Sequence, residues 1–424
     1  MISGFFKLIF RRIIHKPLYP SIMIIGITLG FISTLLVVIW LRDELSYDSY
    51  NDKSDRIYRL TIELNNKDTA FHWNFARSWY GWLKNIKNDV PGIESMVRIS
   101  RWQAGVVKVN DKVWQEELFY ADASLTDIFS LHFIRGNPKQ CLSGSRQVIL
   151  DKSTAEKYFG NEDPLNKIIY LYCSTCADQV PYQVTGVFED IPPNAHVHFH
   201  IIGSFEKPEE ELGWAYYYLL LDKNTTAESI RKSFDAFSRK YRNTEDHTIL
   251  KPSLQKISDI HLFSSKDREL EVNGSMLQIK IICGLALFML FVSLFNYFNL
   301  RYIYLLKDSK PVRIFQFLGA KTKNIIAFLL SETLIYGLFS GILAVTVVAL
   351  IFPYFNNLMG KQADAGSNIL GITVMICLTG LIIISILAGA LPYFVLKLRG
   401  IFRHTLLQTS ETAILVKAGK SIGI

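Results

Sequence analysis

The sequence predicts an α-helical membrane protein with four transmembrane helices and a large α+β extracytoplasmic domain inserted between helices 1 and 2. Three observations support this fold class. Four apolar runs are long enough to cross about 30 Å of hydrocarbon at about 1.5 Å per helical residue. All but four of the 38 acidic residues lie in one central block, the exceptions being Asp308, Glu332, Asp364 and Glu411. That block also shows the mixed periodicity of strands and helices.

The four apolar runs set the predicted domain boundaries in the chain of 424 residues. The first run has a long apolar core and no small-residue cleavage site after it, so we interpret it as an anchor and not as a signal peptide. The predicted order is an amphipathic leader (1–17), helix 1 (18–41), the extracytoplasmic domain (42–276), helix 2 (277–300), a cytoplasmic segment (301–324), helix 3 (325–352), an outer loop (353–368), helix 4 (369–396) and a cytoplasmic tail or linker (397–424).

Lysine and arginine residues set the predicted orientation, because they are enriched on the cytoplasmic side of membrane spans. The net charge of +8 comes from short clusters beside the apolar runs, a pattern typical of membrane flanks and not of a nucleic-acid-binding face. The clusters are Lys7, Arg11, Arg12 and Lys16; Arg301, Lys307, Lys310, Arg313, Lys321 and Lys323; and Lys397, Arg399 and Arg403. We therefore predict that both termini are cytoplasmic.

Residues 2–16 have the pattern of an interfacial helix that lies on the inner leaflet. Apolar residues fall on one helical face and basic residues on another. The apolar face has Phe5, Phe6, Ile9 and Ile13, and the basic face has Lys7, Arg11 and His15. The alternative is an ordinary basic leader to the first span.

The extracytoplasmic block predicts eight strands and three helices. Each predicted strand is short, rich in β-branched or aromatic residues and bounded by turn formers. The strands are RIYRLTIEL, SMVRISRW, GVVKVN, RQVILD, KIIYLY, YQVTGVFED, HVHFHIIGSF and AYYYLLLD. The helices are FARSWYGWLKNIKNDVPG, KSTAEKYFG and TAESIRKSFDAFSRKYR.

Three alternating histidines and one CxxC pair are the candidate metal ligands. His196, His198 and His200 would share one face of a strand, and with Cys173 and Cys176 they supply the ligand types of a zinc site. A zinc site needs a fixed ligand set, however, and the two groups lie far apart in the sequence. We therefore predict no metal site, and we interpret the cysteines as a local disulfide or two free thiols.

The sequence also argues against an enzyme. GxSxG and HExxH do not occur, and the late AGKSIG is no phosphate-binding loop because Ile414 occupies the upstream glycine position. The aromatic stretches WNFARSWYGW and WAYYY could line a binding groove, but stripes at this spacing more often form core, which is the interpretation we favour. Any nucleotide must therefore be used by another chain.

An ordered series of motifs resembles the MacB/FtsX-like permeases of ABC transporters, with an outer domain of the MacB periplasmic core type. The series covers nearly the whole chain and ends near Arg403. It consists of GITLGF, DELSYDSYNDKSDRIYRL, ADASLTDIFSLHFIRGNP, LDKSTAEKYFGNEDPLNKII, VTGVFEDIPPNAHVHF, ISDIHLFS, FNYFNL, FLGAKTKNIIAFLLSETL and LAGALPYFVL.

The resemblance implies a location in the inner membrane and several partners. Such permeases pair as two four-span units, through a homodimer or a related second half, and recruit a cytoplasmic ATPase dimer that holds ATP and Mg. In many members no substrate crosses the bilayer, and closure of the ATPases instead moves the outer domain, a mode called mechanotransmission. Members export peptides or drugs, extract lipoproteins or activate cell-wall hydrolases, so a periplasmic or outer-membrane partner is also implied.

The basic segment Tyr302–Lys323 reads as a short helix between spans two and three. Ser309 can cap it, Pro311 suits its first turn and Gly319 ends it. The segment has apolar residues three positions apart, flanked by basic residues, and this pattern suits docking into a groove on a partner. The alternative is that the segment is a loop lying among anionic lipid headgroups. The resemblance places ATPase coupling here, at Pro311, Val312, Arg313, Phe315, Leu318, Gly319 and Ala320. The family usually has glutamate-valine-glycine where this chain has Lys310 to Arg313, so only the FLGA core carries over.

Polar and small residues inside the spans are further candidates. Glu332 is the one acidic residue inside a predicted span, and a carboxylate there is costly enough to indicate function. Its match to the family's glutamate in ESL implies a structural link to the basic segment in preference to proton transport. The GxxxG pairs Gly26 with Gly30 and Gly337 with Gly341 predict close helix packing.

Two further hypotheses stay open from the sequence. The chain could be a membrane-anchored cell-envelope receptor or scaffold without transport. It could also be one half of a split or truncated eight-span permease, since many similar permeases are about twice this length.

Overall fold

The structure is a computed structural model that describes residues 9–11, 13–66, 71–83, 85–172, 179–206, 213–240, 248–307, 314, 317, 319–358 and 368–398. The chain divides into two compact units, and each is described by itself. We call them the membrane unit, formed by residues up to Arg42 and from Leu277 onward, and the outer domain, Asp43–Met276.

The helices and strands alternate through the outer domain and give way to long helices at both ends of the chain. The helices are α1 (Leu18–Leu45), α2 (Tyr80–Leu83), α3 (Ile86–Asp89), α4 (Leu125–Ile128), α5 (Lys152–Phe159), α6 (Ala227–Lys240), α7 (Ile257–Phe263), α8 (Met276–Lys307), α9 (Thr322–Leu358) and α10 (Asn368–Leu398). The strands are β1 (Ile57–Asn66), β2 (Phe71–Phe75), β3 (Ser78–Trp79), β4 (Ile93–Val109), β5 (Lys112–Ala121), β6 (Phe133–Gly136), β7 (Gln147–Asp151), β8 (Ile168–Tyr172), β9 (Val180–Phe188), β10 (Ile201–Ser204), β11 (Trp214–Leu221) and β12 (Thr248–Lys256).

The prediction of four transmembrane helices is confirmed. Helices α1, α8, α9 and α10 are long and apolar enough to cross a membrane. Each extends beyond the predicted apolar run at one or both ends, because polar flanking residues continue the helix where hydropathy alone marks a boundary. In the leader, residues 9–11 and 13–15 are helical, and Ile9 is buried in the core of the membrane unit with Ile13 packed beside it.

The outer domain is built on a mixed twelve-stranded sheet in the order β12-β1-β11-β4-β5-β10-β7-β9-β6, with β2, β3 and β8 pairing beside that path. Strand β11 shows how the core forms. Its Tyr217 and Leu219 pack with α6 residues Ile230 and Phe234, whereas Tyr218 on the other face packs in the cluster that includes α4 and α7. A strand buried on both faces needs a continuous apolar run, which explains WAYYYLLL.

Three of the sequence predictions for this domain are wrong. The helix predicted over residues 75–92 is replaced by the end of β2, β3, α2 and α3, because Ser78 and Trp79 pair with β11. The strands SMVRISRW and GVVKVN form one strand, β4, with a register shift after Trp102. The strand HVHFHIIGSF begins only at Ile201, because the backbone N–H groups of His196 and His198 donate to the carboxylates of Asp48 and Glu271 and not to a neighbouring strand.

Candidate functional site

A buried ion pair joins α8 to α9 in the membrane unit. Arg301 Nη2 donates to Glu332 Oε2 at 2.7 Å, and both side chains are 0% exposed. Tyr336, one turn further along α9, donates its hydroxyl to Glu332 Oε1 at 2.8 Å. A buried charge is tolerated when a partner compensates it, so this contact fixes α8 and α9 to each other near the two ends of the basic segment.

The position of Arg301 differs from the sequence prediction, which counted it with the cytoplasmic basic residues. The structure includes it in α8 and buries it, since it is the partner of Glu332. The orientation signal of this segment therefore rests on its remaining lysines and arginines. The Glu332 carboxylate, in turn, has a guanidinium partner that directly precedes the segment.

The four glycines predicted to pack helices lie against neighbouring helices. A methyl group at Gly30 would lie 2.7 Å from Ser293 Cβ in α8, and Ser293 donates its hydroxyl to Gly26 O. Methyl groups at Gly337 and Gly341 would lie 2.9 Å from α10, at Ser385 Oγ and Leu378 Cδ1 respectively. The first GxxxG thus faces α8 and the second faces α10.

Gly389 was not predicted from the sequence, and among the described glycines of the membrane unit it is the one approached most closely by a neighbouring helix. A methyl group there would lie 2.2 Å from Thr333 Cγ2 and 2.6 Å from the Tyr297 hydroxyl. Three helices, α8, α9 and α10, therefore meet at this residue. The small-residue run AGAL in LAGALPYF was the signal that could have found it.

The structure describes part of the basic segment between α8 and α9. Phe317 is 90% exposed and Ile314 is 57% exposed, three residues before it. Gly319 has φ +77°, a left-handed conformation suited to the end of a helix, and Ala320 follows it half-buried. Pro311, Val312 and Arg313, and with them Phe315 and Leu318, lie outside the described residues.

In the outer domain, residues near the first and last positions of the domain contact one buried pair. Glu44, in the last turn of α1, lies 2.7 Å from His261 Nε2 of α7 through its Oε2. Tyr47 stacks on the His261 ring with centroids 3.4 Å apart. Gly274, two residues before α8, approaches the same pair, because a methyl group there would lie 2.8 Å from His261 Nε2. We call Glu44, Tyr47, His261 and Gly274 the junction cluster.

A second buried histidine anchors the turn that follows α1. His196 Nδ1 lies 2.7 Å from Asp48 Oδ1, and its Nε2 lies 2.7 Å from the Tyr218 hydroxyl. The backbone N–H of His196 also donates to Asp48 Oδ1. Asp48 is 0% exposed and has φ +60°, so its backbone is held in a conformation that few side chains adopt.

The other two alternating histidines also bind carboxylates. His198 Nδ1 lies 3.0 Å from both carboxylate oxygens of Glu271, and His200 Nδ1 lies 2.6 Å from Asp151 Oδ2. The described residues contain no group of three metal-ligating side chains close enough to share an ion. The candidate ligands Cys173 and Cys176 lie outside the described part of the chain.

These contacts change the pKa values of the two histidines. Burial acts to lower the pKa of His198, but the hydrogen bond to Glu271 and the charge of that carboxylate outweigh it, so the pKa lies above the ordinary 6.5. The hydrogen bond to Asp151 raises the pKa of His200. Burial acts to raise the pKa of Glu271, and its hydrogen bond to His198 reverses this, so the pKa lies below the ordinary 4.5.

We expect the outer domain to lose stability as the pH rises above 6.5. A histidine whose pKa is raised by folding contributes its full stabilisation below the unfolded value, and loses it as the pH passes through the folded value. The lowered pKa of Glu271 contributes stabilisation that is lost as the pH falls below 4.5. Thermal unfolding of the full chain in detergent measures this, and His198→Gln should flatten the slope above pH 6.5. An unchanged slope in that variant would contradict the assignment.

A four-helix membrane unit with a large α/β domain inserted after its first helix defines the class of the protein, a multi-pass membrane protein with one large inserted domain. The FtsX-like permease C-terminal family matches residues 284–398, and the MacB-like periplasmic core domain family matches residues 21–237, just over half of the chain. The chain therefore belongs to the MacB/FtsX-like permeases of ABC transporters, and its α/β domain is extracytoplasmic. It is a transporter component.

Solved structures similar to this chain include three extracytoplasmic or permease domains. A permease-protein domain from Porphyromonas gingivalis is 18% identical, with TM-score 0.43, and covers 55% of this chain and 98% of its own. The periplasmic region of MacB from Actinobacillus actinomycetemcomitans is 14% identical, with TM-score 0.33, and covers 47% and 89%. The extracellular domain of the ABC-type transporter YknZ from Gram-positive bacteria is 20% identical, with TM-score 0.33, and covers 46% and 99%. No curated protein matches this chain.

Proposed function

We propose that this permease couples ATP hydrolysis on a separate cytoplasmic ATPase dimer to movement of its outer domain, by mechanotransmission. ATP and Mg would be held by the ATPase, and a second permease half would complete the transporter. Both termini and the basic segment would be cytoplasmic. The work done outside would be export or extraction of a peptide, a drug or lipoprotein-like cargo.

The observation that carries this proposal is the exposure of Phe317 and Ile314. The Phe317 side chain is 90% exposed, so most of its apolar surface is in contact with water. Burial of that surface against a partner would be favourable. The two residues lie three apart, which on a helix places them on one face. Ile314 and Phe317 each precede by one position the residues for which the sequence predicts docking, Phe315 and Leu318.

The buried pair of Arg301 and Glu332 supports a coupling role for the segment. It connects α8 and α9, the two helices that the segment joins. A force applied to the segment would therefore act on both helices together. A segment attached to two independent helices would lose part of that displacement to their relative motion.

We expect Phe317→Ala to weaken association with the ATPase by at least about tenfold. A buried aromatic anchor at an interface contributes on the order of 2 kcal/mol or more. The measurement is co-purification in mild detergent with identification of the bound chain, followed by titration of that ATPase against the parent and the variant. Phe315→Ala, measured in parallel, decides which of the two aromatic residues is the anchor.

Charge reversal provides the control for this experiment. Arg313→Glu should have a smaller, salt-dependent effect, because exposed charge pairs are screened. A loop in the headgroups would give the opposite order, with charge reversal mattering more than loss of either ring. Membrane orientation is tested separately by thiol labelling. A cysteine introduced at Thr322 should be labelled only after the cells are permeabilised, whereas a cysteine introduced at Asn66 should be labelled in intact cells. A complex unaffected by both aromatic substitutions would remove this segment from the coupling role.

A further inference from the structure

Four aromatic rings form a continuous cluster at the surface of the outer domain. Trp73 packs edge-on against Phe75 with centroids 4.7 Å apart, Phe75 packs against Trp214 at 5.2 Å, and Trp214 packs against Trp79 at 6.1 Å. Trp73 is 44% exposed and Trp79 is 41% exposed, while Phe75 is buried beneath them. The sequence predicts that these stretches form core, and for these two tryptophans that prediction is wrong.

The local strand pairing explains why the rings are exposed. Strand β3 is only two residues long and pairs Trp79 with Trp214 at the start of β11. Strand β2 reaches the same place from the other side, and Phe75 bridges to Asp267. The rings therefore lie on the short strands β2 and β3 and at the start of β11. No helix of the described chain covers them there.

Two cations, Arg77 and Lys266, lie beside the cluster, together with the exposed Asp267, whose Oδ2 accepts from the Asn74 N–H at 3.5 Å. The Arg77 guanidinium lies over the Trp214 ring at 5.5 Å, and its Nε has no acceptor among the described residues. Lys266 donates to the amide oxygen of Asn74 at 2.6 Å, and the exposed Arg268 follows closely. Burial and, after it, the charge of Arg59 lower the pKa of Lys266, although the charges of Glu269 and Glu63 act to raise it. Within the described chain, neither Arg77 nor Lys266 has a carboxylate within ion-pair distance.

We propose that this aromatic–cationic patch, formed by Trp73, Trp79, Trp214, Arg77 and Lys266, binds an extracytoplasmic polypeptide segment that carries a carboxylate beside an apolar side chain. Tryptophan and arginine are the residues that most often dominate protein–protein binding energy. The carboxylate would pair with the cations while the apolar side chain packs between the tryptophans. This site does not depend on ATPase coupling.

The ring geometry favours a polypeptide over a sugar or a membrane surface. The neighbouring rings are inclined by 61–83°, so they form clefts for side chains and no flat platform on which a sugar ring could lie. Arg77 is half-buried against Trp214, whereas cations that bind lipid headgroups project freely into solvent.

The test is selection of short random peptides on the full chain in detergent, followed by affinity measurement with the selected peptides. We expect sequences with acidic residues next to aromatic or aliphatic ones, and their affinity should fall at least about tenfold in Trp79→Ala and in Arg77→Glu. Higher salt should weaken the binding. Val113→Ala, at an apolar residue elsewhere in this domain that is 60% exposed, should leave it unchanged. Equal thermal unfolding of parent and variants shows that the fold is kept.

Three results would overturn the proposal. One is the selection of basic peptides or of peptides whose binding does not depend on Trp79 and Arg77. Another is patch-dependent binding to phosphatidylglycerol vesicles or to an oligosaccharide in place of peptides. The third concerns Glu209, Glu210 and Glu211, which precede Trp214 in the sequence and could compete for the cations. Changing all three to glutamine should maintain or strengthen peptide binding, and a loss of binding would contradict the charge argument.

Discussion

Replacing Glu332 with alanine is expected to destabilise the membrane unit by about 3–5 kcal/mol, because it leaves Arg301 charged, buried and unpaired. It also removes the acceptor of the Tyr336 hydroxyl. The expected result is a large drop in the thermal unfolding temperature of the detergent-solubilised chain, accompanied by loss of ATPase association.

Two further variants show whether the effect comes from the charge. Ser331→Ala is the neighbouring control, since that hydroxyl bonds only within its own helix, to Ala327 O. The double variant Arg301→Met with Glu332→Leu replaces the pair by apolar groups and should regain most of the stability. If Glu332→Ala unfolds at the parent temperature, the carboxylate is not held by Arg301.

Asp48→Ala is expected to destabilise the outer domain by about 3 kcal/mol. The substitution leaves His196 buried without its carboxylate partner, which costs about 1–3 kcal/mol. It also places alanine at φ +60°, a strained conformation that costs on the order of 1 kcal/mol. The measurement is chemical or thermal unfolding of the full chain, followed by a signal from the outer domain.

Asp48→Asn is the matched variant. Asparagine tolerates the left-handed conformation and can accept a hydrogen bond from His196 through its amide oxygen, so its cost should be below about 1 kcal/mol. Equal destabilisation by alanine and asparagine would show that the negative charge matters and that backbone conformation does not. No effect from either would mean that His196 finds another partner.

The sequence predicted the membrane helices well because the mean hydropathy of a long window depends on the residues in that window and not on contacts distant in the chain. It also predicted β1, β7, β8, β9, β11, α5 and α6, in which local pattern and tertiary environment agree. It failed where long-range pairing decides the conformation, as at Trp79, whose strand exists only because Trp214 lies opposite. Strand β12 was missed because Pro252 and two lysines lower its apolar signal, although it pairs along the whole of β1.

The sequence identified several residues of the candidate site, but it did not show which residues they contact. A single carboxylate inside a span singled out Glu332, but the sequence placed Arg301 in the cytoplasm because it directly follows an apolar run. The alternation of His196, His198 and His200 was visible, whereas their partners Asp48, Glu271 and Asp151 are distant in the chain. Likewise, nothing local to Gly274 reveals that it approaches the pair of Glu44 and His261.

The junction cluster has a consequence for how the protein is made. Glu44 and His261 are 217 residues apart in the sequence, and Asp48 and His196 are 148 apart. At about 5–20 residues per second, the ribosome completes the partner of Glu44 on the order of tens of seconds after Glu44 itself. During that interval the start of the outer domain lacks the histidines that pair with its buried carboxylates. A nascent chain stopped before His261 would therefore carry Glu44 without the partner that it has in the finished domain.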